Sequence, residues 1–325
     1  AEKDGVRVEV PIGQAYLLRN GQRVDLDTVA QIRNTRTFLP IRPVVEAFGA
    51  AVTWDGGNRQ VLITTGADLV RVHFLDVGQG DAALIDCGTV EVLIDGGDNG
   101  AGEDVVAYLA PYVDGALDYV IATHPDADHI GGLDDVLEAY QVGEVIDSGR
   151  ASDTKTYADY WAAVQAEGCT FSYDTDRIIP LSGNTVLSIL ETGDDWADSN
   201  DCSVVAQLTC GNVQVLFTGD MTQEVEAASL SLFGDIDVLK VGHHGSASST
   251  SPAFLDVVQP ECAVVSYGLD NRYGHPTTQV LQRLLGRGIP VYGTGKSGPI
   301  VLTTDGYSYS FNTTVTLSLR DAGNG

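Results

Sequence analysis

The chain is poor in positive charge: 18 Lys and Arg stand against 45 Asp and Glu in 325 residues, a formal net charge of −27. A field of that sign repels polyanions at long range. It excludes tight nonspecific binding to nucleic acid unless cations and a local basic cluster reverse the sign at a site. No run of about 18 apolar residues occurs, so no segment reads as a transmembrane helix. The start, Ala1-Glu2-Lys3-Asp4-Gly5, has no basic stretch followed by an apolar one; a signal peptide is expected to have been removed before this numbering begins. Cysteine is scarce and unpatterned. Cys87, Cys169, Cys202, Cys210 and Cys262 make an odd count with no CxxC and no ligand-like spacing to histidine. Gly211-Asn212 reads as a hairpin turn that sets Cys210 opposite Val213 and leaves Cys202 at the far end, so buried free thiols are expected rather than a disulfide. Neither an internal repeat of fixed period nor a low-complexity segment is found.

What remains is an ordinary globular composition, 43% apolar and 7% aromatic, at a length that suits one large domain and one small one. The charge divides at the same place. Residues 1–66 hold eight Lys/Arg and seven Asp/Glu, a net of +1, which leaves ten against thirty-eight, or −28, for residues 67–325. Residues 6–65 alternate with period two and carry the turn signals Asn20-Gly21 and Asp55-Gly56-Gly57-Asn58, with one short helical candidate over 44–48 stopped by Gly49. This predicts a small, β-rich α+β domain. From Val70 onward strands are expected over 72–77, 82–86, 90–94, 119–123, 185–191, 203–210, 213–218, 238–241 and 262–267. Helices are expected over 103–113, 133–140, 222–233, 252–258 and 277–286, with a β-rich tail. Adjacent short strands followed by alternating units imply an α/β layered architecture, sheets covered by helices.

Chemistry concentrates at strand ends. Thr123-His124-Pro125-Asp126-Ala127-Asp128-His129-Ile130-Gly131-Gly132 places two of the six histidines and two carboxylates within six residues, directly after the apolar run Tyr119-Val120-Ile121-Ala122. Neutral imidazole and carboxylate are good ligands for Zn²⁺ or Mn²⁺, and a strand end fixes their geometry in advance. Three further sites repeat the pattern. Leu93-Ile94-Asp95-Gly96-Gly97 and Phe217-Thr218-Gly219-Asp220 each put a carboxylate after a buried strand. Lys240-Val241-Gly242-His243-His244-Gly245-Ser246 adds two imidazoles. Residues at one end of several strands meet at one edge of such a fold.

Taken in order, His-x-Asp-x-Asp-His-x-Gly-Gly, Thr-Gly-Asp and His-His-Gly-Ser resemble the metallo-β-lactamase superfamily over roughly residues 70–315. The resemblance is strongest to the C-terminal domain of ComEC-type competence proteins and its free-standing relatives, which share Phe74-Leu75-Asp76-Val77-Gly78-Gln79-Gly80-Asp81 and Asn271-Arg272-Tyr273-Gly274-His275-Pro276. It implies an αββα sandwich over 67–325 and a hydrolase with two divalent metal ions. On it, His124 and Asp126 would bind one ion, Asp128 and His129 the other, and Asp220 would bridge them. One of His243 or His244 would complete the second site, the Gly-His pattern favouring His243 and leaving His244 for the substrate. Asp95 would orient ligands by hydrogen bonding, and Asp81 would reach the metal region. The segment 1–66 resembles the copper amine oxidase N-terminal-like domain, through Leu18-Arg19-Asn20-Gly21-Gln22-Arg23-Val24, Arg36-Thr37-Phe38-Leu39-Pro40-Ile41-Arg42 and Phe48-Gly49-Ala50-Ala51-Val52-Thr53-Trp54-Asp55. It contains no His and no Cys, so that resemblance implies a non-catalytic, wall- or surface-associated module of a secreted bacterial protein.

Two departures from the superfamily pattern matter. Asp126 stands where a second histidine is usual, and no histidine lies between His129 and Asp220. An oxygen-richer first site shifts preference from Zn²⁺ toward Mn²⁺ or Mg²⁺. Asn200 or Asp201 is a candidate for the missing ligand, with a plain turn before a strand as the competing explanation. His275 is expected to contact phosphate or protonate the leaving oxygen, with Arg272 as its charge partner. His73 lies inside a strand and reads as structural. Two lookalikes fail on context. Gly78-Gln79-Gly80-Asp81-Ala82-Ala83 fits a dinucleotide GxGxxA but is followed by strand, and Gly295-Lys296-Ser297 lacks the first glycine of a P-loop.

Two cations can hold a hydroxide at neutral pH and stabilise the entering and leaving oxygens of a phosphoryl centre. With Asp128, His244 and His275 as catalytic candidates, phosphodiester hydrolysis is the expected reaction. The competence-type resemblance implies DNA as substrate, possible as a single strand or short end beside Lys240, Arg272 and Lys296. A small phosphoester or lactone hydrolase is the alternative within the enzyme class; a surface-binding protein with a vestigial metal site is the alternative outside it.

Overall fold

The computed structural model describes residues 2–3, 6–26, 28–33, 36–38, 41–46, 51–55, 60–64, 69–193 and 196–323. The chain divides into two compact units, Ala1–Leu69 and Val70–Gly325. In the first, Glu2–Lys3, Val6–Glu9, Tyr16–Arg19 and Gln22–Asp25 form a four-stranded antiparallel sheet turned at Asn20-Gly21, with hairpins Gln31–Arg33/Arg36–Phe38 and Ala51–Asp55/Gln60–Thr64. Val8 and Leu17 are its buried pair. The short helix is Ile41–Glu46, earlier than the periodicity placed it; the Gly49 stop and the Gly56-Gly57 turn lie outside the described residues.

The larger unit is built from two mixed sheets with the same plan. One runs, in order, Thr170–Tyr173, Gln141–Asp147, Ala116–Ala122, Glu91–Ile94, Ala83–Asp86, Val70–Phe74, Ile300–Thr304 and Tyr309–Phe311. The other runs Arg177–Pro180, Thr185–Leu190, Val205–Cys210, Val213–Phe217, Val238–Lys240, Cys262–Val265 and Val291–Gly293. Each has antiparallel hairpins on one side and a parallel run on the other. Alternation along the strands fills three layers. Val215 and Phe217 point between the sheets, where Phe217 stacks on Phe74 at 6.0 Å between ring centroids, while Leu216 points outward.

Helices Gly102–Leu109, Leu133–Ala139 and Lys155–Glu167 cover the first sheet through Val105, Leu109, Leu133, Val136, Tyr160 and Val164. Gln223–Ala228, Pro252–Val258 and Thr278–Leu285 cover the second through Val225, Phe254, Leu255, Val280 and Leu284. The result is helix, sheet, sheet, helix. The helix expected over 222–233 ends at Ala228, and a separate turn of 3₁₀ helix follows at Leu230–Leu232. All five cysteines are free thiols, and Cys210 pairs in register with Val213.

His73 is fully buried in Val70–Phe74, with Nδ1 3.0 Å from the Tyr108 hydroxyl and its ring against Tyr108 and Tyr112. Burial pulls its pKa down to about 4. The unfolded chain, with a histidine pKa of about 6.5, therefore binds the proton first. The stability His73 contributes is complete above that pH and is lost as pH falls toward 4, by roughly 3 kcal/mol at most. His73→Phe is expected to flatten the urea midpoint between pH 6.5 and 4 relative to the wild type; parallel curves would show that His73 protonates freely in the folded chain.

Candidate metal centre

The parallel strands of both sheets deliver their C-terminal ends to one edge, the usual place for a site in open α/β sheets. Asp95 follows Glu91–Ile94, His124 follows Ala116–Ala122, and Asp220 follows Val213–Phe217; His243 and His244 follow Val238–Lys240. Asp126 caps the short helix Ala127–Ile130, which carries Asp128 and His129. The backbone is forced at several of these points. Asp95, His243 and His244 hold φ of 59°, 50° and 51°, a left-handed conformation that costs non-glycine residues of order 1 kcal/mol or more and persists where surrounding structure imposes it. Gly245 is required beside them, since a Cβ there would lie 2.6 Å from Cβ of Pro276.

Three imidazoles are aimed by their Nδ1 atoms. His129 Nδ1 bonds Asp95 Oδ2 at 2.8 Å, and Asp95 in turn accepts the Thr123 amide (2.9 Å) and hydroxyl (2.7 Å). His124 Nδ1 meets the Thr123 hydroxyl at 3.1 Å. His244 Nδ1 lies 3.2 Å from the Ser266 carbonyl and 3.1 Å from Asp81 Oδ1. Their Nε2 atoms consequently face inward. His129 Nε2 is 3.2 Å from Asp220 Oδ1, and His244 Nε2 is 3.3 Å from Asp128 Oδ2 and 3.6 Å from Asp220 Oδ2. Nε2 of His124, His129 and His244 and Oδ1 of Asp220 are buried without a hydrogen-bond partner, a cost that a cation removes.

Ligand-type atoms of Asp81, His129, Asp220 and His244 all lie within 4.8 Å of one another. The donor set and its orienting contacts fit a divalent ion.

The electrostatics agree. Burial opposes charge on Asp220, yet His129 and then His244 outweigh it and hold the carboxyl far below its usual range. Burial likewise opposes charge on His244, but Asp220 and Asp81 raise it to about 10. His124, desolvated and repelled by His129, falls to about 4 and keeps its lone pair. The carboxylate field that draws protons onto these imidazoles draws a divalent cation by the same attraction.

The remaining candidates spread outward. Asp126 is about half-exposed, with Oδ2 4.0 Å from His124 Nε2 and Oδ1 accepting the Ser199 hydroxyl at 2.9 Å. His243 Nε2 is 3.5 Å from Asp220 Oδ2, and its Nδ1 faces Ser248. Asp201 is buried, but its Oδ1 accepts the Thr222 amide at 3.2 Å and braces the loop behind Asp220, whereas Asn200 Oδ1 is buried and unpartnered. His275 sits with its ring 5.8 Å from that of His243 and 6.4 Å from that of His244; burial, then the charges of His244 and His243, lower it to about 4. Arg272 contacts Tyr273 and shares a cavity with His275.

Two expected substrate cations are committed elsewhere: Lys240 is buried 2.7 Å from Asp81 Oδ2, and Lys296 pairs with Asp321 at 2.8 Å. Residues the sequence did not single out as positioning groups are Thr123, Ser203 and Ser266. Ser203 Oγ accepts the Asp220 amide at 3.0 Å and lies 3.4 Å from His124 Nδ1.

With this geometry in view, the family is plain. The profile described as "Metallo-beta-lactamase superfamily" matches residues 66–269, and the chain belongs to that superfamily, a family of metal-dependent hydrolases whose fold uses divalent metals, typically two. A second profile, "Copper amine oxidase N-terminal domain", matches residues 1–63. Among curated relatives, ComE operon protein 3 of Bacillus subtilis is 32% identical over 251 residues, 71% of this chain and 32% of the relative. Recombination protein 2 of Haemophilus influenzae is 32% identical over 234 residues, 71% and 28% respectively. Competence protein ComA of Neisseria gonorrhoeae is 29% identical over 233 residues, 69% and 31%. The chain thus spans about a third of the length of these relatives. Among solved structures, the metallo-β-lactamase fold protein YhfI of Bacillus subtilis is 16% identical with a TM-score of 0.48, covering 72% of this chain and 100% of that one.

Proposed function

We propose that the chain is a metal-dependent phosphodiesterase that cleaves DNA, using two divalent ions, Zn²⁺ or Mn²⁺ with Mg²⁺ as a further option. The observation that carries the reading is the set of inward Nε2 atoms of His124, His129 and His244 with Oδ1 of Asp220 at the strand ends, buried and without hydrogen-bond partners. The names of the relatives, competence and recombination proteins, support DNA as the substrate. His124 and Asp126 would hold one ion, Asp128 and His129 the other, with Asp220 between. His244, not His243, would complete the second site, because Asp81 and the Ser266 carbonyl aim its Nε2 at Asp128 and Asp220.

Ions bound there would supply Lewis-acid stabilisation of the phosphoryl oxygens and an activated water. The protein's own contribution is orientation. Asp95 fixes His129, Thr123 and Ser203 fix His124, and Ser203 also pins the Asp220 backbone. His243, more exposed, and His275 would face the substrate phosphate. For the N-terminal unit we propose attachment to the bacterial surface outside the cell; its near-neutral charge beside the acidic larger unit supports a separate task. No helix among the described residues is long and apolar enough to cross a membrane.

The acidity of residues 67–325 favours one second reading, a hydrolase of small phosphoesters or lactones. A panel of Mn²⁺, Zn²⁺ and Mg²⁺ against single-stranded DNA, duplex DNA and a small chromogenic diester separates the two. Turnover of single-stranded DNA with steep loss at high salt is expected. Turnover of the small diester alone selects a hydrolase of small phosphoesters, and no turnover under any metal overturns both phosphoester readings.

A further inference from the structure

Beside the metal centre a cavity of about 530 Å³ opens between the loop 267–275 and the C-terminal turn, lined by His275, Arg272, Lys296, Arg320, Asp321 and their neighbours. Three of the ten basic residues in 67–325 meet here. Among the described basic residues of that unit, most bond a carboxylate or a backbone carbonyl: Arg71 with Asp86, Arg177 with Glu144, Lys155 with Asp159, Lys240 with Asp81, Arg287 with Asp256, and Arg150 and Arg283 with carbonyls. Arg272 and Arg320 are the two whose guanidinium groups do neither, and both face this one cavity. Lys296 already neutralises Asp321.

Both guanidiniums are carried on prepared supports. Arg272 lies over the Tyr273 ring at 4.9 Å and donates to its hydroxyl at 2.6 Å, using one of five N–H groups; Tyr273 in turn stacks on His275 at 5.8 Å. Arg320 sits in the turn Leu319–Asp321, which Ser318 caps, Lys296 ties through Asp321, and Gly323 anchors by donating its amide to the Pro276 carbonyl at 3.0 Å. Two guanidiniums without a carboxylate partner, facing one cavity in a unit of net charge −28, locally reverse the sign of the field and leave their donors available to an anion. The fork geometry of guanidinium suits a phosphate group, and ordering its support beforehand lowers the entropy of capture.

We propose that this cavity is a subsite for a non-scissile phosphate of a polynucleotide, held by Arg272 and Arg320 while the scissile phosphate lies at the metal centre. The proposal rests on the phosphodiesterase reading and deepens it: the substrate is an oligomer with a second phosphate, selected over a lone diester.

The test is anisotropy of a fluorescein-labelled, cleavage-resistant phosphorothioate oligothymidylate titrated with the metal-loaded full chain across a salt series. Arg320→Ala is expected to weaken binding about tenfold and to reduce the slope of log affinity against log salt by about 0.7, the increment for one contact to a single strand. Arg320→Lys should keep the slope. Lys155→Ala, which removes the same net charge from an exposed helix, should leave both quantities unchanged. Absence of oligonucleotide binding by the wild type, no change in Arg320→Ala, or equal loss in Lys155→Ala each overturns the subsite. Cleavage of an ordinary oligonucleotide with Arg320-independent binding overturns the subsite alone. Arg320-dependent binding with no cleavage leaves it standing and overturns the phosphodiesterase reading.

Discussion

Asp220→Ala is expected to lower phosphodiester hydrolysis by about a thousandfold or more and to reduce the metal retained after purification. The carboxylate stands 3.2 Å from His129 Nε2, 3.5 Å from His243 Nε2 and 3.6 Å from His244 Nε2, within reach of all three. Its removal leaves the imidazoles facing one another without the negative charge that gathers a cation. Metal analysis by atomic emission beside single-turnover assays checks the result. Retained metal with unchanged turnover would mean that the chemistry happens elsewhere on the chain.

Lys240→Ala is expected to destabilise the fold by about 3–5 kcal/mol, the usual cost of stranding one member of a buried ion pair. Burial raises the Asp81 carboxyl, and Lys240, then His244, more than reverse this, holding it well below the ordinary range. Without Lys240 the charge has lost its largest compensation. Among the described residues, the ammonium meets, apart from Asp81, only the Val241 carbonyl, at 3.1 Å. The double change Lys240→Met with Asp81→Asn should therefore recover much of the loss, since replacing both partners removes the uncompensated charge. A double variant no more stable than the single one, by urea denaturation, would show that the loss came from packing rather than from the pair.

Lys240 also shows what the residues alone conveyed and what they did not. The sequence reads it as a cation for substrate, although Val238 on its own face and Leu239 and Val241 on the other mark a strand buried on both faces, where a lysine must be paired. The convergence of the His- and Asp-rich segments was legible because each is contiguous and sits at the end of an apolar strand. The hairpin at Gly211-Asn212 was legible for its turn chemistry.

Residues 141–180 were not legible. The strands Gln141–Asp147, Thr170–Tyr173 and Arg177–Pro180 and the helix Lys155–Glu167 carry weak patterns, the helix burying only Tyr160 and Val164 among its alanines. Its caps, Thr154 and the left-handed Gly168, were the available signal. The different surroundings of His243 and His244 were not legible either. Both residues are left-handed, His244 is buried and His243 is partly exposed, and periodicity carries no such information. Arg320 lies 45 positions beyond His275, with nothing local to connect them.

The proposed ligand set is drawn from two halves of matching plan, with His124 and His129 beyond the strand Ala116–Ala122 of one sheet and Asp220 and His244 beyond strands of the other, and Lys240 reaches Asp81 across 159 positions of chain. Contacts of such separation carry a high loop-closure cost, as does the pairing of Val70–Phe74 with Ile300–Thr304 inside the first sheet. The centre is therefore a seam, completed only when the two layers dock in register. Metal uptake then reports assembly of the whole unit and would lag behind the appearance of secondary structure during refolding, and neither half could be expected to chelate by itself.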